Sequence, residues 1–209
     1  DFEKANFPIG VEGGKTSTCP TQNLMEAYDM KDGTPFVWNN QSNPYDNRDP
    51  RMKYTIVCNE MKWPVDPVEI WEGGTNGLPL QNATTTGYYL KKYVNNTISF
   101  EAGSTVTKKQ HNWVLFRYGE ILLNYAEAMI NAFHDPNYKD AVYNMSAREA
   151  VNQIRGRTNI SLPGFPSDIT EKDFVKRLKN ERRVELAFEG HRFWDVRRWK
   201  ELGQTANIY

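Results

Sequence analysis

The chain has 209 residues, enough for one large domain or two small ones with a buried core. Its 26 lysines and arginines balance 26 aspartates and glutamates, so no overall positive field attracts nucleic acid or an anionic membrane. No apolar run approaches the roughly 20 residues that a membrane-spanning helix needs. These bulk properties therefore argue against nucleic-acid binding and against a helical membrane protein.

The first part of the chain, residues 1–110, is rich in loops, because glycine, proline, asparagine and aspartate recur there at short intervals. One short helix is predicted over 20–30, with Gly33 in the turn that stops it. Two short strands are predicted at 52–59 and 87–94, where β-branched and aromatic residues cluster between turn residues. The remainder is predicted to be long loop, which in compact domains often carries function.

This loop-rich region holds many large aromatic residues, and amides and carboxylates accompany them. Flat aromatic faces pack against the C–H surfaces of sugar rings, while amide and carboxylate groups bind sugar hydroxyls. The pattern predicts a glycan-binding site, and the alternative is that the aromatic residues fill the core of the region. The candidate glycan-binding residues are Trp38, Asn40, Tyr45, Trp63, Asp66 and Trp71.

The second part, residues 111–209, has helical periodicity. A helix is predicted in 112–133, where apolar residues recur at spacings of three and four and define one face. That apolar face consists of Leu115, Tyr118, Leu122, Tyr125, Met129 and Phe133. A shorter helix is predicted over 145–157 with Ser146 as its N-cap. Two helices joined by a loop are the unit of helical-repeat proteins.

A further helix is predicted to begin near residue 168. Thr170 lies three residues before Asp173 and forms a loose capping box with it. Gly190 is predicted to end or kink this helix before the chain continues helically.

Acids and arginines alternate at helical spacing toward the C-terminus. A nucleic-acid-binding arm would carry cations without such regular acids, because each acid cancels a phosphate contact. The pattern therefore predicts a structural network of ion pairs between packed helices, since such charges are tolerated there only in pairs. The predicted network comprises Glu120, Glu127, Arg182, Glu185, Glu189, Arg192, Asp195 and Arg198.

Catalytic chemistry has little support in the sequence. Glu120 and Glu127, two helical turns apart, are spaced by about 10 Å, near the upper limit for an inverting glycosidase, but pairing with arginines is the favoured interpretation. The three histidines show no metal-ligand spacing, and nucleotide-binding or hydrolase motifs are absent. No catalytic residue, metal or cofactor is predicted.

Two further features leave alternatives open. Cys19 and Cys58 either form one disulfide or remain free thiols, and the free thiols are favoured. The loop that holds Asp46 and Asp49 offers oxygen ligands for calcium, although its spacing is not that of an EF-hand.

Several long motifs occur in series, and together they resemble one family. The helical part contains "FRYGEILLNYAEAMINAF", "AVNQIRGRTNI" and "NERRVELAFEGHRFWDVRRWKE". The loop-rich part contains "PTQNLMEAYDMKDGTPF", "YDNRDPRM" and "TGYYLKKYV", in the same order as in that family. The chain is similar over nearly its whole length to the SusD/RagB family of outer-membrane glycan-binding lipoproteins.

The resemblance implies a mainly α, SusD-like fold with tetratricopeptide-like helix pairs in an α-α superhelix. It also implies a non-enzymatic protein on the outer face of the bacterial outer membrane, which binds oligosaccharide or polysaccharide with a SusC-like TonB-dependent transporter. Family members are usually more than twice as long. The chain is therefore expected to be the C-terminal portion of such a protein, whose lipid anchor lies on the missing N-terminal part.

Overall fold

The computed structural model describes residues 2–38, 43–100, 110–112 and 114–205. These residues form two compact units, which we describe separately. The first unit holds 2–26, 52–100 and 110–112, and the second holds 27–38, 43–51 and 114–205. By packing, residues 27–51 thus join the helical unit, although they lie within the region predicted to be rich in loops.

Short elements and long hydrogen-bonded loops make up the loop-rich part of the chain. Its helices are α1 (Phe2–Asn6), α2 (Gln22–Ala27) and α3 (Pro50–Thr55), and its strands are β1 (Ile56–Val57) and β2 (Tyr89–Leu90). Helix α2 confirms the predicted short helix, and it begins where the Thr21 hydroxyl accepts a hydrogen bond from the Leu24 amide.

Both predicted strands exist, but each has only two residues. They pair antiparallel, with Ile56 opposite Leu90 and Val57 opposite Tyr89. The prediction of a strand from residue 52 was wrong, because α3 extends to Thr55. Asp49 and Pro50 start that helix: the Asp49 carboxylate accepts from the Arg51 amide at 2.9 Å, and proline is favoured at a first helical position.

The second unit contains four α-helices among the residues that the structure describes. They are α4 (Tyr118–Phe133), α5 (Ala147–Arg155), α6 (Glu171–Glu185) and α7 (His191–Arg198), and a 3₁₀ turn follows at Leu202–Thr205. Helices α4, α5 and α6 pack against one another around one apolar core. The core side chains are Leu122, Leu123, Ala126, Met129, Ile130, Ala147, Ala150, Val151, Ile154, Phe165, Phe174, Leu178 and Leu186. Within these ranges, no helix is long and apolar enough to cross a membrane.

Helix α4 starts six residues later than its predicted span, and its buried face is rotated from the predicted one. Leu115 and Tyr118, predicted to lie on the apolar face, are exposed, whereas Leu123 and Ile130 are buried. Sequence periodicity defines an apolar stripe, but which edge of a broad stripe is covered depends on where α5 and α6 pack.

The predicted helix starts at Ser146 and Thr170 are confirmed. The Ser146 hydroxyl accepts from the Glu149 amide at 3.1 Å, and the Glu149 carboxylate accepts from the Ser146 amide at 2.8 Å. Thr170 accepts from the Asp173 amide at 3.2 Å. Side chains local to each helix start supply these bonds, so sequence alone predicts them.

Replacement of Ser146 by alanine removes half of this reciprocal cap. We expect it to lower the free energy of unfolding by about 1 kcal/mol, the usual effect of losing an N-cap hydroxyl. Urea denaturation followed by circular dichroism measures the change. Ser167→Ala, which alters an exposed serine in the loop before α6, serves as the control and should leave the midpoint unchanged.

The helix predicted to run toward Gly190 ends earlier, at Glu185. A turn follows, and Gly190 adopts a left-handed conformation with φ 82° immediately before α7. Glycine adopts this backbone without steric cost, so Gly190 separates the two helices as predicted.

Candidate functional site

One candidate, Trp38, belongs to the second unit and is exposed over 53% of its surface. Its indole contacts the Phe36 ring edge-on at a centroid distance of 5.1 Å. The guanidinium of Arg48 lies 3.7 Å above the Phe36 centroid, and it donates hydrogen bonds to the Tyr28 and Pro44 carbonyls. Trp38 therefore presents an exposed indole beside a Phe36 ring that an anchored arginine contacts.

Two other candidates, Asn40 and Tyr45, lie close to Trp38 in the sequence. Tyr45 is half-buried, and its amide donates to the Asn43 side chain at 2.9 Å, which forms an Asx turn. Asn40 lies outside the described residues. The proposed calcium site would use the Asp46 and Asp49 carboxylates. Both Asp49 oxygens accept hydrogen bonds from Arg51, so Asp49 is not available as a calcium ligand.

The candidate Trp71 belongs to the first unit and lies in a loop that is tightly bonded to itself. The Glu69 amide donates to the Asn76 side chain, and the Asn76 amide donates back to the Glu69 carbonyl, both at 2.9 Å. The Asn76 side chain also donates to the Ile9 carbonyl at 2.6 Å. A Cβ atom at Gly77 would lie 2.2 Å from the Trp71 carbonyl oxygen, so only glycine allows this close approach.

This loop geometry presents an exposed indole on a hydrogen-bonded backbone. Trp71 is 47% exposed, and Leu78 and Leu80 on the same loop are exposed as well. An apolar surface of this kind is suited to stacking against a flat ligand face, because little conformational freedom remains to be lost on binding.

The candidate Trp63 needs correction, because only 6% of its surface is exposed. Its amide donates to the Asp66 carbonyl at 2.8 Å in a tight turn, and the Lys91 ammonium lies 5.0 Å from its ring centroid. The indole therefore packs inside the unit, as the core alternative described, and offers no stacking face. Asp66, its neighbour in the turn, is exposed.

Two exposed tyrosines escaped the sequence analysis. Tyr54 and Tyr93 were assigned to the predicted strands, and both project into solvent instead. Each follows a lysine, Lys53 and Lys92 respectively, and the Lys92 ammonium lies 5.5 Å from the Tyr93 ring centroid. The Lys-Tyr dipeptide, which occurs at both positions, was the sequence signal that could have indicated their exposure.

The ion network lies in the second unit, and Glu185 is one centre of it. The buried Glu185 carboxylate accepts from Arg117 at 2.7 Å, from Arg157 at 2.7 Å and from Arg51 at 2.9 Å. Burial by itself raises the pKa of Glu185, but the hydrogen bonds from Arg157 and the three positive charges outweigh it and hold the pKa at about 2. Glu185 is therefore ionised at neutral pH.

Glu181, one turn earlier on α6, is the second centre. Its carboxylate accepts from Arg51 and, at 2.8 Å, from Arg155. Arg51 also binds Asp49, and Arg155 lies 3.4 Å from Asp29. Residues 27–51 are thus tied to α5 and α6 by buried charges, which explains why they belong to the helical unit.

The remaining predicted members of the network lie on α4, α6 and α7 and in the turn before α7. Arg182 binds Asp195 through two bonds of 3.1 Å, and Arg198 binds both Asp195 and Glu127. Arg117 bridges to Glu189 by two bonds of 2.8 Å. Two members differ from the prediction: Glu120 faces His191 at 3.6 Å rather than an arginine, and Arg192 forms no ion pair with any described residue.

Gly119 leaves space for the Arg117 guanidinium and the Glu185 carboxylate. A Cβ atom there would lie 2.6 Å from Arg117 Nη1 and 3.3 Å from Glu185 Oε1. The absence of a side chain at Gly119 thus makes space for a guanidinium–carboxylate pair.

The glycosidase alternative is disfavoured by this geometry. Glu127 accepts from Arg198 and, at 2.8 Å, from the Trp199 indole. Burial opposes ionisation, but these bonds outweigh it and lower the pKa of Glu127, whereas a general acid needs a raised pKa. Across the described part of the chain, no group of acids, histidines and cysteines is arranged to hold a metal, and Cys19 and Cys58 are free thiols.

Comparisons with known proteins agree with one another. The model of the SusD family matches residues 4–209. The SusD-like protein P38 of Formosa agariphila is 37% identical over 91 residues, which cover 41% of this chain and 16% of that protein. A SusD-like carbohydrate binding protein from Bacteroides fragilis NCTC 9343 superposes with a TM-score of 0.75 and 27% identity, over 95% of this chain and 38% of that chain.

A second SusD-like protein from the same Bacteroides fragilis strain superposes with a TM-score of 0.73 and 28% identity, over 94% of this chain and 39% of its own. The chain thus spans well under half the length of these relatives. The predicted resemblance and the mainly α, SusD-like fold are both confirmed by these matches. Because the family model covers almost every residue, the chain belongs to the SusD family.

Proposed function

We propose that this protein binds oligosaccharide or polysaccharide at the outer face of the bacterial outer membrane and does not cleave it. We further propose that it acts with a SusC-like TonB-dependent transporter in nutrient uptake, anchored by lipid on a part of the protein outside this chain. Membership of the SusD family supports this proposal, and so does the carbohydrate-binding relative from Bacteroides fragilis.

The observation that carries the proposal is the exposed indole of Trp71 on its hydrogen-bonded loop. Trp38 supplies a comparable surface in the other unit. An exposed tryptophan with a restrained backbone loses little entropy when a sugar ring stacks on it. Polar groups near each indole in sequence, such as the exposed Asp66, are available for hydroxyl groups.

The state of Glu127, one of the two carboxylates considered for hydrolysis, supports the proposed lack of cleavage. Glu127 is committed to Arg198 and Trp199, and its lowered pKa is opposite to that of a proton donor. Incubation with a panel of oligosaccharides should therefore release no reducing ends, and release that disappears in Glu127→Gln would contradict this part of the proposal.

Native gels cast with individual polysaccharides provide the test of binding. Trp71→Ala should lose the retardation or weaken it about tenfold or more, because truncating a tryptophan at the centre of a contact typically costs about 2 kcal/mol. Trp38→Ala is tested in parallel. Trp194→Ala is the matched control, since Trp194 is a 66% exposed tryptophan on α7, outside the candidate loops.

A second candidate function is a helical module that binds a protein partner without touching glycan. One observation favours it: large apolar side chains are exposed at the start of α4 and on α7, namely Leu115, Phe116, Tyr118, Ile121, Phe193 and Trp194. Retention of a SusC-like transporter on the immobilised protein, lost in Trp194→Ala and accompanied by no retardation on any polysaccharide, would favour this second function.

A further inference from the structure

The Trp71 loop, residues 69–80, contains the one asparagine of the sequence that is followed by glycine, Asn76 before Gly77. In such a pair the backbone nitrogen of the glycine can attack the Cγ atom of the asparagine side chain, because the second residue has no side chain to obstruct the approach. The new N–C bond closes a succinimide ring, and the side-chain nitrogen leaves as ammonia. Water then opens the ring at either carbonyl, and the products are aspartate and isoaspartate.

In the native loop, hydrogen bonds hold both ends of the Asn76 side chain. Its Nδ2 donates to the Ile9 carbonyl at 2.6 Å, and its Oδ1 accepts from the Glu69 amide at 2.9 Å. The Thr75 hydroxyl also donates to Oδ1, at 3.2 Å, and only 6% of Asn76 is exposed. The side chain therefore cannot turn toward the Gly77 nitrogen unless these bonds break.

The backbone around the pair is constrained as well. The Tyr89 hydroxyl donates to the Asn76 carbonyl, and the Gly77 amide donates to the Gly74 carbonyl at 3.3 Å. Gly77 also passes so close to Trp71 that an added Cβ atom would lie 2.2 Å from the Trp71 carbonyl oxygen. Attack by the Gly77 nitrogen thus requires an opened loop, so the rate of deamidation is scaled by the fraction of time that the loop is open.

Neither product of the reaction would fit the closed loop. A carboxylate at position 76 has no N–H group to donate to the Ile9 carbonyl, so two oxygen atoms would face each other where the 2.6 Å bond now lies. Isoaspartate would add a methylene group to the main chain next to Gly77, where the Trp71 carbonyl leaves no room for one more carbon atom.

We infer that Asn76 is a latent modification site, whose deamidation is suppressed by the hydrogen bonds of the Trp71 loop and, once it occurs, detaches that loop from Ile9. Each opening of the loop exposes Asn76 to this irreversible reaction, which consumes only water. The effect on glycan binding rests on the proposed function, whereas the modification site itself does not.

The rate of deamidation is measured by incubating the protein in mildly alkaline buffer, followed by proteolysis and mass spectrometry. A synthetic peptide of residues 73–80 in the same buffer gives the rate without the fold. We expect Asn76 to react at least about tenfold more slowly in the protein than in the peptide, because opening breaks several hydrogen bonds at once. Fragment spectra separate this change from any change at Asn82, which is exposed and precedes alanine.

Tyr89→Phe tests whether the bonds of the loop provide the protection. It removes the hydroxyl that donates to the Asn76 carbonyl, so we expect deamidation to become several-fold faster. Tyr125→Phe is the matched control, because it removes a tyrosine hydroxyl that donates to the Met145 carbonyl in the second unit, and it should leave the rate unchanged. Near-ultraviolet circular dichroism verifies that both variants keep their fold.

Asn76→Asp reproduces the aspartate product and tests the effect on binding. In native gels with a polysaccharide that retards the unaltered protein, we expect Asn76→Asp to lose retardation, as Trp71→Ala does. Asn82→Asp makes the same change of charge at an exposed position close by in the sequence and should keep the full retardation.

The possible failures are distinguishable. Equal rates in the protein and the peptide, or in Tyr89→Phe and the unaltered protein, would overturn the protection by the loop. Full retardation of Asn76→Asp, with Trp71→Ala weakened, would overturn the effect of deamidation on binding. If no polysaccharide retards the unaltered protein, the proposed function fails, and the deamidation rates alone decide whether Asn76 is a protected site.

Discussion

Replacement of Glu185 by alanine is expected to lower the free energy of unfolding by about 3–5 kcal/mol, the usual effect of leaving buried charges without their partner. In the native protein this carboxylate accepts hydrogen bonds from Arg51, Arg117 and Arg157. Its removal leaves their positive charges facing one another, and that of Arg51 is buried. A cost of this size is a large fraction of the stability of an ordinary domain.

Urea denaturation of Glu185→Ala and of the unaltered protein measures this difference. Glu171→Ala is the control on the same helix, because Glu171 pairs with His134 at the surface, where ion pairs contribute less than about 1 kcal/mol. Similar small losses in the two variants would mean that the Glu185 network contributes no more than a surface pair. If Glu185→Ala yields no folded protein, Glu185→Gln provides the milder substitution for the same comparison.

Acid is expected to destabilise the protein mainly between pH 4.5 and pH 2. The pKa of Glu185 is about 2 in the folded protein, against an ordinary value of 4.5. Burial by itself raises the pKa of Glu181, but the charges and hydrogen bonds of Arg51 and Arg155 outweigh it and leave that pKa lowered as well. A carboxyl group with a lower pKa in the folded chain contributes stability that is complete above the unfolded pKa and is lost as the pH falls toward the folded one. For Glu185 alone the difference corresponds to about 3 kcal/mol.

Unfolding free energies measured from pH 7 to pH 2 test this dependence. The unaltered protein should keep a constant contribution from Glu185 above about pH 4.5 and lose it below. Glu185→Gln cannot titrate at this position, so its stability should be lower at pH 7 and should fall less steeply in acid. Parallel curves for the two proteins would show that Glu185 does not carry the expected acid sensitivity.

This network also bears on the proposed glycan site. Residues 27–51 carry Trp38, and buried bonds from Asp49, Arg51 and Asp29 tie this segment to α5 and α6. Loss of Glu185 should therefore loosen the support of the Trp38 loop as well as the helices. Under the proposed function, the charges near the C-terminus would influence binding through the position of Trp38, without contacting the ligand.

The helices of the second unit were largely predictable because their signals are local. Ser146 and Glu149, or Thr170 and Asp173, lie within one turn of each other, so their capping bonds depend on few other residues. The prediction of a strand from residue 52 was wrong because it overlooked a local helix-start signal. Asp49 and Pro50, just outside the apolar run, start a helix there and override the β-branched composition that follows.

The exposure of the aromatic candidates was harder to predict than the helix starts, because it depends on contacts with residues distant in sequence. Trp63 and Trp71 lie eight residues apart in similar turn-rich sequence, yet Trp63 is buried under Lys91 and Trp71 is exposed on its loop. Contacts from residues as distant as Ile9 and Lys91 decide this difference.

By itself, the sequence determined the family, the mainly helical character of the second part, the helix starts and the pairing of acids with arginines, all of which depend on spacing along the chain. Only the tertiary structure decided which indoles are exposed and which arginine each carboxylate binds. Burial and ion pairing arise between segments remote in sequence, and their free energies are set once those segments pack.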